Sequence, residues 1–261
     1  MTGWTFGRFP FLIAGPCVLE PGDVVPRVAD ALARLAAERG LPVCFKASCD
    51  KANRARLDAP RGPGLHEGLR LLEKVRTESG LPVLTDIHEA AQAAAAAEVA
   101  DALQVPAFLC RQTDLLVAAG RTGRPVNVKK GQWMPAEAMA GALAKVRGGG
   151  STDVAVTERG TFFGYGDLVV DMRNFTRLRE ATGAAVVFDA THAVQQPGQG
   201  TGGASGGRRE CIPPLLAAAA VAGADGFFLE THPDPSRALS DAATQWPLDR
   251  LGDLIDRTLD L

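Results

Sequence analysis

Along this chain a short run of Val, Ile, Leu and Phe gives way, again and again, to a longer segment whose apolar residues return every three or four positions. The short runs predict strands: "FLIA" (11–14), "PVCFKA" (42–47), "PVLTDI" (82–87), "ALQVPA" (102–107), "PVNVKK" (125–130), "DVAVTE" (153–158), "AVVFDA" (185–190) and "GFFLET" (226–231). The longer segments predict helices over 23–39, 65–79, 89–99, 113–121, 135–147, 167–181, 208–222 and 248–260. Gly, Pro or Asp mark the boundaries, as in "RGLP", "SGLP" and "GADG".

Eight evenly spaced strand–helix units without a linker predict an α/β fold, a single-domain (β/α)8 TIM barrel over residues 1–261. The runs are short and apolar throughout, as strands covered on both faces must be. An open, doubly wound sheet is the alternative, because alternation alone does not show closure. The segment "PGQGTGGASGGRRE" (197–210) enlarges the seventh unit and reads as a mobile, glycine-rich active-site loop. Within it, "GQGTGG" (198–203) has the form of a dinucleotide fingerprint. Its first glycine falls nine positions past Asp189 rather than in a strand-to-helix turn, so no nicotinamide site is expected.

Composition narrows the function. The chain is 46% hydrophobic and 22% charged with a net charge of -2, which gives no general attraction to nucleic acid or to an anionic membrane. Five cysteines, an odd number lying mostly in apolar stretches, suit a reducing cytoplasm better than a disulfide framework. No run approaches the ~20 apolar residues of a membrane helix. A lipid-attachment reading of Cys17 fails because Pro10 and Pro16 break the preceding apolar run, and Pro16 stands where a small residue is required.

In a barrel of this kind, chemistry comes from the C-terminal strand ends and the loops that follow them. Those positions carry Cys17; Lys46 and Lys51; Asp86 and His88; Gln104; Lys129 and Lys130; Glu158 and Arg159; Asp189 and His192; and Glu230 with His232. The opposite ends carry mostly Pro, Gly and Ala, and this asymmetry points to an enzyme. Two groupings follow. Lys46, Lys51, Arg54, Arg111, Lys129 and Arg159 would converge on one face, which suits a substrate with more than one anionic group. Cys17, His192, Glu230 and Asp241 could hold a borderline divalent ion such as Zn2+, Fe2+, Mn2+ or Co2+. No local ligand motif links these four, so the case rests on closure placing strands seven, eight and one side by side. For Cys17 alone a buried, inert thiol is the default, and Cys44, Cys110 and Cys211 are left with it.

The motifs "AGPC" (14–17), "FKASCDKANR" (45–54), "RGPGL" (61–65), "TDIHE" (85–89) and "VPAFLCRQTDLL" (105–116) run through the first half. "VNVKKGQ" (126–132), "TERGTFFGYGDLVVDMR" (157–173), "FDATHAVQ" (188–195), "SGGRRE" (205–210), "ETHPDP" (230–235) and "LSDAATQWPL" (239–248) continue them. Over essentially its whole length the chain resembles the 3-deoxy-D-manno-octulosonate 8-phosphate synthases, cytoplasmic homotetramers that condense phosphoenolpyruvate with D-arabinose 5-phosphate to supply the KDO sugar of lipopolysaccharide. "DKANR" and the long segment from 157 are specific to this synthase; the "KPRTS"-type sequence of the erythrose 4-phosphate enzymes is absent.

The resemblance implies that Lys46, Lys51, Lys129, Arg159 and His192 hold phosphoenolpyruvate. It implies that Asn53 and Arg54 hold the aldose, with Arg54 on its phosphate, and that Gln104 also binds substrate. Arg111 is expected to reach the aldose phosphate of a neighbouring subunit. The catalytic set it implies is Lys46, Lys51, Asn53, Asp86, Lys129 and His192. Cys17, His192, Glu230 and Asp241 match the ligands of the metal-dependent branch; the metal-independent branch has Asn where Cys17 stands. One departure is Ala55, where the family usually has a serine that helps bind the aldose phosphate. Arg56, next in the chain, is the candidate replacement.

Overall fold

Alternate residues of the apolar runs face two separate hydrophobic environments, and a sheet built that way is stable when it closes on itself. The computed structural model describes residues 3–200, 203 and 205–260. Its barrel strands are β1 (Phe11–Gly15), β2 (Val43–Lys46), β3 (Val83–Asp86), β4 (Ala102–Val105), β5 (Val126–Lys129), β6 (Val154–Glu158), β7 (Ala185–Asp189) and β8 (Gly226–His232). They pair in parallel in chain order, and β8 returns to β1 through the register Phe11↔Gly226 to Gly15↔Glu230. The sheet is therefore a closed (β/α)8 barrel, and the open doubly wound alternative is excluded. The covering helices are α1 (Val24–Arg39), α2 (Leu65–Ser79), α3 (Gln92–Val99), α4 (Thr113–Arg121), α5 (Met139–Gly149), α6 (Arg173–Thr182), α7 (Ile212–Val221) and α8 (Leu251–Leu259).

Outward-facing Phe45, Leu103, Val128, Val156 and Leu229 pack against helix residues such as Leu32, Leu72, Leu116, Leu143 and Leu254. Inward-facing Phe11, Ile13, Cys44, Leu84, Ala102, Ala155, Val187 and Phe228 form a separate core within the barrel. Each large side chain so buried stabilises the fold by about 1.5–3 kcal/mol. The N-terminal segment closes the lower end. Trp4 meets Phe6 and Phe11 edge-on at 5.9 and 5.6 Å, and the Phe6 N–H donates to the Asp153 carboxylate at 3.3 Å. No helix among the described residues is long and apolar enough to cross a membrane.

The main departure from the sequence reading is the segment expected to be helical from residue 167. Thr161–Gly164 and Asp167–Val169 form an antiparallel hairpin instead, and helix begins only at Arg173. The turn requires left-handed backbone at Tyr165 and Gly166, with φ of 55° and 95°, which the glycine adopts without strain. The fourth run stops at Val105 because Pro106 leads into a 3-10 turn, Ala107–Leu109. The glycine-rich loop begins as a ribbon in which Gln195–Gln196 pair with Gly206–Gly207. Residues 201, 202 and 204 of that loop, two of them in the fingerprint-like stretch, lie outside the described residues. All five cysteines are free; Cys44, Cys49 and Cys110 are buried as expected of inert thiols, whereas Cys211 is partly exposed.

Closure has a local requirement at its first register pair. A methyl group on Gly226 would stand 2.3 Å from the Phe11 ring. Gly226→Ala should therefore cost about 1–3 kcal/mol through overpacking. Denaturant unfolding checks this, and an unchanged midpoint would show that Phe11 moves aside freely.

Candidate active site

Side chains two positions apart on a strand point the same way. Two residues beyond inward-facing Cys44, Leu84, Ala102, Ala155, Val187 and Phe228 stand Lys46, Asp86, Gln104, Thr157, Asp189 and Glu230. All six are buried. The barrel interior thus changes from apolar to polar within one layer. Phe228 lies at the boundary, with Lys129 Nζ 3.8 Å and Lys46 Nζ 5.5 Å from its ring centroid. Such cation–π contacts contribute about 0.5–2 kcal/mol each.

The buried cations are interleaved with carboxylates. Lys46 Nζ lies 3.3 Å from Glu230 Oε1 and 3.6 Å from Asp86 Oδ2, and Lys51 Nζ lies 3.9 Å from Glu230 Oε1. Lys129 Nζ donates to Asp189 Oδ2 at 2.7 Å. Asp189 also holds His192, whose Nδ1 is 2.8 Å from Oδ2 and whose backbone N–H donates to Oδ1 at 2.9 Å. The expected convergence of cations is therefore real, but much of their charge is balanced within the protein. Arg159 is the exception: one nitrogen, Nη2, donates to Gln195 Oε1 at 3.0 Å, while Nη1 is buried with no hydrogen-bond partner.

These neighbours set the protonation states. Burial opposes ionisation of Asp86, but Lys46, Lys51 and Lys129 outweigh it and hold the carboxyl far below the usual range. Burial likewise opposes Glu230, and His192, Lys51 and Lys46 hold it down. Asp241 falls to about 2 because His192 and Lys51 overcome its burial. Burial pushes the Lys129 ammonium and the Arg159 guanidinium down. The Cys17 thiol is pushed well up, first by burial and then by the charges of Asp241 and Glu230.

Three of the four metal-capable residues meet where β1 closes on β8, and the fourth, His192, stands beside them. Cys17, Glu230 and Asp241 each present an atom within 4.8 Å of the others. The Cys17 thiol donates to Asp241 Oδ2 at 3.0 Å. His192 Nε2 stands 3.7 Å from Glu230 Oε1 and 3.8 Å from Asp241 Oδ2. Glu230 Oε2 is buried without a hydrogen-bond partner.

Beside this cluster opens a cavity of about 1040 Å3, lined by Lys46, Lys51, Asn53, Arg54, Asp86, Gln104, Lys129, Arg159, His192 and Asp241 among others. Arg54 is tied to the segment before Asp241: its guanidinium donates to Ser240 Oγ at 2.8 Å and to the Leu239 carbonyl at 3.0 Å. Ala55 and Arg56 also line the cavity, and Arg56 pairs with exposed Asp58 at 2.6 Å. Arg111 does not converge with the other cations within one chain. It is exposed, is not among the cavity-lining residues, and its carbonyl accepts from Lys145 Nζ at 3.1 Å.

The sequence model of the DAHP synthetase I family matches residues 7–256. The chain belongs to that family. Among its relatives, the 2-dehydro-3-deoxyphosphooctonate aldolase of Syntrophotalea carbinolica is 56% identical over 240 residues, 92% of this chain and 86% of that protein. The protein of the same name from Nitratidesulfovibrio vulgaris is 55% identical over 245 residues, 94% of this chain and 89% of the relative. That of Syntrophobacter fumaroxidans is 52% identical over 261 residues, 99% of this chain and 90% of the relative.

In this DAHP synthetase I family barrel, two participants escape a reading of charged strand ends. Gln195, the last residue of the motif "FDATHAVQ" and given no role there, bridges Arg159 to Asp241 Oδ1 at 2.8 Å. Asp189 was visible as a strand-end carboxylate but carried no assigned role. It holds both Lys129 and His192, and all three groups are largely removed from water. Asp189→Asn should leave the Lys129 ammonium buried beside a neutral amide. The expected cost approaches the about 3–5 kcal/mol of a broken buried pair. Unfolding free energies of the two proteins measure it; equal stabilities would mean that the ammonium finds another partner or loses its proton at no cost.

Proposed function

We propose that this chain condenses phosphoenolpyruvate with D-arabinose 5-phosphate and water, giving 3-deoxy-D-manno-octulosonate 8-phosphate and inorganic phosphate for the KDO sugar of lipopolysaccharide. The name carried by its relatives, 2-dehydro-3-deoxyphosphooctonate aldolase, denotes the same enzyme. The observation that carries the reading at the site is Arg159. A buried guanidinium N–H without a partner, beside the ammonium groups of Lys46, Lys51 and Lys129, is a ready anion receptor.

In this reading residues 1–261 act as one catalytic domain. Lys46, Lys51, Lys129, Arg159 and His192 hold the phosphate and carboxylate of phosphoenolpyruvate. Asn53 and Arg54 hold the aldose, Arg54 at its phosphate, and Gln104 contributes from the cavity wall. C3 of phosphoenolpyruvate attacks the aldehyde carbon, whose oxygen takes up a proton. Water adds at C2, and C–O cleavage then releases phosphate to leave the C2 carbonyl. Fixing two anions so that the reacting carbons meet supplies proximity and charge stabilisation. No lysine Schiff base is required, although Lys129 lies where one would form.

The donor set of Cys17, His192, Glu230 and Asp241 fits a divalent ion. Cys17, Glu230 and Asp241 are mutually close, and His192 Nε2 lies within 3.8 Å of both carboxylates. One sulfur, one imidazole and two carboxylates suit Zn2+, Fe2+, Mn2+ or Co2+, and the unpartnered Glu230 Oε2 has a lone pair to give. Such an ion would supply Lewis acidity beside the aldose. Asp189 would orient His192 toward it through Nδ1. The reading further holds that the protein works in the cytoplasm as a homotetramer in which Arg111 serves a neighbour's site. Arg111 is exposed, and three positions before it exposed Phe108 stacks on exposed Trp133 at 5.9 Å, an aromatic surface suited to a second copy.

Phosphate release from phosphoenolpyruvate tests the function directly. It should require arabinose 5-phosphate, fail with four- and six-carbon aldose phosphates, stop in chelator and return with divalent ions. Preference for another aldose would redirect the assignment, and tight binding without release under any condition would make this a non-catalytic barrel. Cys17→Ala should lose both metal and activity while staying folded; full metal content at full rate would remove Cys17 from the ligand set. Arg54→Ala should raise the aldose KM by about a hundredfold, the loss of a charge-assisted phosphate contact, and leave the phosphoenolpyruvate KM nearly unchanged. Equal effects on both would contradict its assignment.

A further inference from the structure

Beneath the cavity floor, buried side chains from successive strands form one continuous hydrogen-bond chain. Thr157 Oγ1 on β6 donates to Asn127 Oδ1 on β5 at 2.7 Å. Asn127 Nδ2 donates to Gln104 Oε1 on β4 at 2.9 Å. Gln104 Nε2 donates to Asp86 Oδ1 on β3, and Ser48 Oγ, just past β2, donates to Asp86 Oδ2. Lys46 Nζ completes the run, donating to Ser48 Oγ at 3.0 Å and lying 3.6 Å from Asp86 Oδ2. Lys46, Asp86 and Gln104 line the cavity; Asn127 and Thr157 are fully buried and do not.

The chain has a fixed polarity. An ionised carboxylate only accepts hydrogen bonds, so Asp86 obliges Gln104 to present its NH2 group. The Gln104 carbonyl then faces Asn127, which must present its own NH2 in turn. That leaves the Asn127 carbonyl toward β6, where only a donor is acceptable, and Thr157 supplies one. Reversing either amide would set carbonyl against carbonyl, or carbonyl against carboxylate, in a buried site where an unmade hydrogen bond costs about 1–3 kcal/mol. Register explains why Thr157 is used. Asn127 lies level with Gln104 on one side and with Ala155 on the other, and Ala155 has no polar atom, so the chain steps up to the next inward residue of β6.

We propose that Asn127 and Thr157 are positioning residues, which fix the orientation of Gln104 and through it the placement of Asp86 and Lys46 at the reacting centre. They touch no substrate; they remove the freedom of groups that do. Misplacing those groups should lower kcat more than it raises KM, because the charges that bind the anions remain present while their alignment is lost.

The test uses the full-length protein carrying Thr157→Val, Thr157→Ser or Asn127→Asp. Valine matches threonine in shape but lacks the donor; serine keeps it; aspartate keeps the shape of asparagine but faces the Gln104 carbonyl with an acceptor. Thr157→Val and Asn127→Asp should lower kcat at least tenfold with both KM values within threefold of wild type, and Thr157→Ser should recover most of the rate. Thr157→Val that lowers the melting temperature and keeps kcat within twofold would reduce the chain to a structural role and overturn the proposal. This kinetic arm rests on the proposed condensation. A second arm does not: the 15N-labelled side-chain amide of Gln104, which does not touch Thr157, should shift and exchange faster with solvent in Thr157→Val and return toward wild type in Thr157→Ser. An unchanged Gln104 amide would overturn the proposal whatever reaction the protein catalyses. Should wild type fail to turn over phosphoenolpyruvate with the aldose, only the function falls, and the Gln104 resonance decides the positioning role.

Discussion

The pairing of the first strand with the last is the contact on which this site depends. Cys17 follows β1, whereas Glu230 and Asp241 come from β8 and the loop beyond it. Only the register Phe11↔Gly226 to Gly15↔Glu230 brings those distant parts of the chain together. Because every barrel pair is parallel, the same closure puts all eight C-terminal strand ends around one opening. The entropic cost of closing so long a loop grows only with the logarithm of its length. The compensation comes from two cores that exist only in the closed barrel. One lies between sheet and helices, and the other lies inside the sheet, where Phe6 and Phe11 meet residues from six other strands.

The upper half of the barrel interior trades stability for chemistry. Replacing Leu, Ala and Val layers by Lys46, Asp86, Lys129, Asp189 and Glu230 places full charges in an environment that solvates them poorly. The structure limits this cost by giving each buried lysine a carboxylate within 4.0 Å. It also places the ring of Phe228, itself part of the inner apolar core, within cation–π distance of two ammonium groups. An array balanced in this way offers an anion directed N–H groups, such as the unpartnered Arg159 Nη1, rather than bulk positive charge. An anion site of the kind proposed is in this way compatible with a net charge of -2.

The strands were legible because a buried strand leaves a short apolar run that little else in a soluble protein imitates. Strand ends were legible because water-facing polar residues stop those runs, which is how Lys46, Lys129, His192 and Glu230 could be picked out. The helix expected over 167–181 starts too early because "DLVVDMRNFTRLRE" keeps a helical spacing of apolar residues from the second hairpin strand into helix α6. What distinguishes the hairpin is the turn "GYG" (164–166), whose left-handed backbone is a local signal that was outweighed by the period. Asn127 was readable in principle: within "VNVK" it shares its parity with Lys129, so it faces the barrel interior. Arg111 looked like its cationic neighbours in sequence, but the turn after β4 carries it out to the rim, and composition holds no record of that direction.

The segment after β8 joins the two halves of the site mechanically. Asp241 has a left-handed backbone, φ 49°, which aspartate tolerates better than most residues and which must be held from several sides. Gln195 donates to its carboxylate, the Gln245 amide donates to the Ser240 carbonyl at 2.8 Å, and the Leu239 N–H donates to Glu20 Oε1 at 3.1 Å. Arg54 grips the same three-residue stretch through Ser240 and Leu239. The residue proposed for the aldose phosphate is therefore hydrogen-bonded to the short loop that carries a residue of the metal-capable cluster. Two hydrogen bonds and one peptide unit thus connect the Arg54 guanidinium to Asp241.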